Sequence, residues 1–137
     1  MADPLFIPDE GLVQKLTSLM GQILSVVSFR LYKNNKAPAA GDNATLYIEA
    51  DFSGYVRQTL NDLSAPTVSG GVASTTSGTH TFTHNGGAVA NTVYGWYMVD
   101  GANKLIAASL NGAGPVTLSA AGQSYAVTVT FTDQRAP

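Results

Sequence analysis

The chain has 137 residues, 45% of them apolar, which suffices for one domain with a buried core. Only 12% of the residues are charged, about half the usual ~25%, so the polar surface must be drawn from Thr, Ser, Asn and Gly. Seven basic and nine acidic residues give a net charge of −2 and no cysteine occurs, which excludes a phosphate-neutralising basic patch, disulfides and thiolate chemistry.

Residues 1–8 carry Pro4 and Pro8 and read as an arm. Asp9 then has the character of an N-cap, with Glu10 beside the positive end of a helix dipole. Leu12, Val13, Leu16, Leu19, Met20 and Ile23 fall within an arc of roughly 120° on a helical wheel. A helix of about 14 residues is marginal by itself, so this apolar face must be covered, either by the chain's own sheet or by a partner subunit. Gln14, Lys15, Thr17 and Ser18 interrupt the apolar run, and no basic leader precedes it. Neither a secretory signal nor a membrane span, which needs ~20 apolar residues, is expected there.

After residue 24 the period changes to two: Val27, Phe29 and Leu31 alternate with Ser28, Arg30 and Tyr32. A polar loop is expected over 34–43, then strands near 44–50, 54–60, 66–73, 79–84, 91–99, 103–110, 115–118 and 123–132. Gly70-Gly71, Asn85-Gly86-Gly87, Asp100-Gly101 and Asn111-Gly112 supply turns. The pattern predicts a mostly β fold: an antiparallel β-sandwich or jelly-roll-like domain over 24–137, preceded by an arm and one amphipathic α-helix over 1–23.

Reactive groups are sparse. His80 and His84 invite a metal reading, but in a strand they stand about 13 Å apart, too far to share an ion. Exposed strand positions are expected for both. Glu49 and Asp51 lie on one strand face and read as edge charges that discourage unwanted pairing. Asp42-Asn43 lacks the further acidic ligands of a calcium loop. No nucleophile elbow, P-loop or dinucleotide fingerprint occurs. No catalytic residue, metal site or cofactor is therefore expected. Tyr94, Trp96 and Met98 share one face of a strand that is apolar on both sides, which suggests burial. An exposed Trp96 that stacks on a glycan is the functional alternative.

Phe29-Arg30-Leu31-Tyr32-Lys33-Asn34-Asn35, Glu49-Ala50-Asp51-Phe52-Ser53-Gly54-Tyr55, and the run from Asn85-Gly86-Gly87 to Asn91-Thr92-Val93-Tyr94-Gly95-Trp96-Tyr97-Met98-Val99 carry a resemblance. Over roughly 27–110 the chain resembles small virion structural proteins of tailed bacteriophages, such as capsid decoration (cement) proteins. The resemblance implies a non-enzymatic protein, made in the bacterial cytoplasm, that sits on the capsid surface of the virion and bridges the major capsid protein lattice. It further implies a homotrimer with no nucleic-acid or membrane partner. Leu5, Phe6, Leu12, Leu16, Leu19 and Ile23 are the residues expected at such an interface. A receptor- or glycan-binding module of a head or tail fibre, or a tail or adaptor subunit, is the competing assignment. Deleting residues 1–23 is expected to leave a folded body that no longer docks.

Overall fold

The computed structural model describes residues 8–24 and 27–134, without the side chains of 22–24 and 134. Its elements are α1 (Asp9–Leu24), β1 (Ser28–Tyr32), β2 (Gln58–Thr59), β3 (Thr67–Ser69), β4 (Val72–Thr76), β5 (His80–Thr83), β6 (Asn91–Val93), β7 (Gly95–Val99), β8 (Leu105–Leu110), β9 (Val116–Leu118), β10 (Ser124–Val127) and β11 (Thr130–Gln134). All strand pairs are antiparallel, so the chain is mostly β with one helix, as its periodicities predict. The strand orders are β2-β1-β7-β8, β10-β5, β11-β4-β3 and β6-β9. Among the described residues these are four small antiparallel sheets, of four, two, three and two strands. None of the described helices is long and apolar enough to cross a membrane.

Contacts group the chain differently from a 1–23 arm and a 24–137 body. One unit takes 1–25, 61–79 and 128–137; the other takes 26–60 and 80–127.

In the first unit α1 lies on the sheet β11-β4-β3. Leu12 N–H donates to the Pro8 carbonyl at 3.1 Å, so Pro8 fills the cap position and Asp9 and Glu10 occupy the first turn. Leu12 and Leu16 are fully buried with Ala73, and Met20, Val68 and Phe131 close around them. At about 1.5–3 kcal/mol per buried leucine, this contact is what holds a short helix in place. The helix face therefore belongs to the chain's own sheet. Leu12 and Leu16 are core residues, not surface offered to a partner, while Leu19 at the margin of the stripe remains 43% exposed. Of the other expected interface residues, Leu5, Phe6 and the side chain of Ile23 lie outside the described residues. The β3–β4 hairpin turns through Gly70 (φ 60°) and Gly71 (φ 80°), the two positive-φ positions of a type I′ turn.

The second unit has two aromatic clusters. Phe29 on β1 meets Trp96 (ring centroids 5.4 Å), and it reaches across to His80 (5.4 Å) and Phe82 (5.6 Å) on β5, so the four-stranded sheet faces β10-β5. Tyr55 stacks on Phe82 and Phe52 on His84, which extends the ring contacts. On the opposite face of β1 and β7, Tyr32, Tyr47 and Tyr97 pack with Ala44 and Val99.

Several expected strands are shorter or divided. Over 44–50 the chain forms a 3-10 turn (Ala44–Leu46) followed by a single bridge between Tyr32 and Glu49. Asn43 accepts from Thr45 N–H, and the Asn34 amide bonds both Leu46 O and Ile48 N–H, so side chains supplement the two backbone bonds that flank the bridge, Lys33 N–H to Ile48 O (2.8 Å) and Ala50 N–H to Leu31 O (2.9 Å). Over 54–60 only β2 forms, because Gly54 (φ 93°) and the bond from Tyr55 N–H to Phe52 O make a turn. The 66–73 segment becomes β3, a turn and the start of β4; the 91–99 segment divides at Tyr94; and the 123–132 segment divides between β10 and β11.

Candidate functional site

The carboxylates and histidines weighed as reactive groups, Asp42, Glu49, Asp51, His80 and His84, all lie in the second unit, and the fold gives each a structural partner. Glu49 follows the 3-10 turn and is brought against β1 by its bridge to Tyr32. Its carboxylate accepts two bonds from Arg57, both at 2.8 Å, and a third from the Tyr55 hydroxyl at 2.9 Å, with Arg30 Nε at 3.9 Å. Tyr55 in turn accepts from Leu31 N–H at 3.2 Å. Partial burial pushes the Glu49 carboxyl up, but Arg57, Tyr55 and Arg30 outweigh it and hold it below the usual carboxylate range. Glu49 is thus a braced, half-buried carboxylate rather than a solvated edge charge. Arg57 makes the paired fork that only a guanidinium supplies.

Asp51 is held separately. Lys33 Nζ lies 2.8 Å from its carboxylate, Asn91 Nδ2 donates to it at 2.9 Å, and Asp51 N–H donates to Asn91 Oδ1 at 2.7 Å. Lys33 and Asn91 lower its pKa. Glu49 and Asp51 therefore do not form an acid–base pair: each is neutralised by its own cation.

Asp42 closes the loop over the tyrosine cluster. Its carboxylate takes Lys36 Nζ at 2.9 Å, the Tyr47 hydroxyl at 2.7 Å and Ala39 N–H at 2.8 Å, and Lys36 above all lowers its pKa. The Lys36 carbonyl accepts from the Tyr32 hydroxyl at 2.8 Å. All three contacts reach Oδ2, so this oxygen is committed to the loop itself. A polar recess of about 450 Å³ lies between the 42–45 turn and Asn103, Lys104 and Leu105. In the first unit a groove of about 460 Å³ runs between Val13 on α1 and Pro66 and Val68.

Both histidines are buried, not exposed. His80 and Phe82 on β5, and His84 directly after it, are buried, while Thr81 and Thr83 point out. His80 Nδ1 lies 2.8 Å from Gln58 Oε1. His84 donates from Nε2 to Val89 O (2.9 Å) and accepts at Nδ1 from Gly86 N–H (2.9 Å), which fixes its neutral tautomer and closes the 84–89 loop. No cluster of three or more metal-ligating side chains occurs among the described residues. Trp96 is half-buried with its ring edge-on to Phe29, a packing role rather than an open platform.

Sequence reasoning missed Arg57, Tyr55 and the Tyr32–Tyr47–Tyr97 cluster. The signal for the last was the tyrosine at 32, in phase with Ser28 and Arg30 on the face read as polar. Comparison with protein-family models, with curated proteins and with solved structures finds no match to this chain.

These ionisations predict how stability varies with pH. Asp42, Glu49 and Asp51 have folded-state pKa values below their unfolded ones, so their contribution is present above the ordinary carboxylate range and lost as pH falls through the folded values. Tyr32 is pushed up to about 12 by burial, and Tyr47 and Tyr55 are raised by burial and by their carboxylate neighbours. The tyrosine contribution is present below their unfolded pKa of about 10 and lost as pH rises above it. Urea midpoints should therefore fall both near pH 3 and near pH 11 relative to pH 7 (round values chosen to bracket roughly these ranges). An unchanged midpoint at either end contradicts the corresponding network.

Proposed function

We propose that this protein is a non-catalytic structural component of a tailed-bacteriophage particle, a decoration protein that bridges major capsid subunits on the virion surface. The observation that carries the reading is that Glu49, Asp51, Asp42, His80 and His84 all serve as internal braces of the second unit. A chain whose reactive groups are spent on its own rigidity suits a mechanical role. The surface suits adhesion: cross-strand hydroxyl pairs Thr76–Thr130, Thr79–Thr128 and Thr92–Thr117 replace charges, and Leu46, Ile48 and Val56 are exposed.

On a pressurised shell, each copy ties neighbouring subunits together, so that separating them also breaks its own contacts. An ordinary interface of about 1,200–2,000 Å² per copy suffices, because many copies act together. A homotrimer at threefold positions is the form this reading predicts on the lattice alone, where the capsid subunits hold the three copies in place. Particles produced without the protein should lose their DNA at lower temperature and under milder osmotic shock than complete ones, and purified protein added back should restore them. Equal robustness with and without it overturns the reading.

A further inference from the structure

The strand β8 (Leu105–Leu110, sequence LIAASL) is the longest among the described residues, carries no charge and no proline, and forms one end of the sheet β2-β1-β7-β8. The other edges of the described sheets are shorter or charged: β2 has two residues and follows Arg57, β3 has three and follows Pro66, β6 and β9 have three each, β5 and β10 have four each, and β11 carries Asp133. Long, neutral edges invite pairing, and proteins ordinarily break them with charge, proline or brevity.

The direction of the free hydrogen-bonding groups follows from the ladder. Asn111 N–H donates to Tyr94 O at 2.8 Å, and Gly95 stands opposite Leu110, Trp96 opposite Ser109, Tyr97 opposite Ala108 and Met98 opposite Ala107. Bonded and non-bonded pairs alternate in an antiparallel ladder, so Ser109 and Ala107 exchange bonds with β7 while Ala108 and Leu110 turn their N–H and C=O groups outward. No described strand receives them. The irregularity at Met98/Val99 leaves Ile106 as the extra residue and confines the bulge to the start of the strand, so 107–110 stays regular. Ile106 and Leu110 are 40% and 39% exposed.

We propose that β8 pairs with β8 of a second copy of this chain, antiparallel across a two-fold axis at Ser109. In that register Ala108 exchanges hydrogen bonds with the partner's Leu110 and Leu110 with the partner's Ala108, so every outward group meets its complement. The large side chain of each pair falls beside a small one. A second copy is the occupant because the edge bears no charge to select a different chain, and its parity is satisfied by its own sequence read backwards. Such a contact is isologous and closes at two copies. It does not rest on the virion reading, and a threefold ring could not use it.

The chain has no native cysteine, so one introduced thiol reports the contact. Ser109→Cys places two thiols opposite each other at a non-bonded pair, with Cα atoms about 4.5 Å apart, within disulfide reach. Mild oxidation of this variant should give a covalent dimer at least tenfold faster than Gln58→Cys on the opposite edge. Equal rates, or no crosslink at Ser109→Cys, overturn the proposal. Sedimentation of the unaltered full chain should show a concentration-dependent dimer. Ala108→Pro, which removes an outward donor and leaves the β7 ladder intact, should be monomeric with an unchanged near-ultraviolet Trp96 signal. Leu110→Lys, which sets like charges near the axis, should behave likewise, and it decides the matter if the proline variant does not fold. A folded variant that still dimerises, or a wild-type species that is only monomer or only trimer, contradicts the two-fold seam.

Discussion

Gly95→Ala is expected to destabilise the protein by about 3–5 kcal/mol, a large share of the 5–15 kcal/mol typical of a small domain. A Cβ at this position would stand 2.0 Å from Ser109 O and 2.9 Å from the Tyr32 ring and hydroxyl. Neither neighbour can give way. The Ser109 carbonyl belongs to the β7–β8 ladder, and Tyr32 is fully buried with its hydroxyl bonded to Lys36 O at 2.8 Å. The sheet would have to open or the tyrosine cluster would have to rearrange. Gly112→Ala, with nothing within 4 Å of the added carbon, is the matched control and should stay within about 0.5 kcal/mol of wild type. Urea unfolding followed by Trp96 fluorescence reads both. A Gly95→Ala variant as stable as Gly112→Ala contradicts the approach of Tyr32 to the β7 backbone.

Leu16→Ala should cost about 2–5 kcal/mol, and Leu19→Ala less than about 0.5 kcal/mol, although the two lie three residues apart on one helix. Leu16 is 1% exposed against Ala73, whereas Leu19 is 43% exposed. The Lys15–Asp133 pair between α1 and β11, 3.3 Å long with Lys15 half-exposed, adds little. Hydrogen exchange localises the effect: amides of β4 and β11 should lose protection in Leu16→Ala while those of β1 and β7 keep theirs. Equal costs at Leu16 and Leu19 mean that the helix presents a different face. The same contact revises the consequence of removing residues 1–23. The first unit would lose its helix layer and expose Ala73, so the truncation should lose protection in β4 and β11 as well as any docking.

How far the sequence revealed this architecture depends on which forces set each segment. The helix was legible because its period, length and first-turn acids agree. The glycine-pair turn at Gly70-Gly71 and the alternation from Tyr125 to Phe131 were legible too, although the strand expected over 66–73 ran through that turn instead of stopping at it. That alternation does not show that the run serves two sheets: Ser77 bonds Val129 through both its backbone and its hydroxyl, so β10 pairs with β5 and β11 pairs with β4. Nor did strand propensity over 44–50 anticipate Asn34 and Asn43, whose side chains bond Leu46 O, Ile48 N–H and Thr45 N–H where the single bridge to β1 does not reach. The inward histidines were readable in principle, since His80 and His84 share the parity of Phe82, and the reading weighed their polarity above their phase. The Glu49–Arg57 fork joins residues eight apart through an irregular turn, which no periodicity encodes.

Cryo-electron microscopy of a phage particle from the source of this chain is the decisive experiment for the proposed decoration role. If the proposed role holds, ordered density matching the units should lie on the outer face of the shell, repeated with the lattice and seated across boundaries between neighbouring capsid subunits. Density confined to the tail, or a complete particle in which the protein is absent, would contradict it.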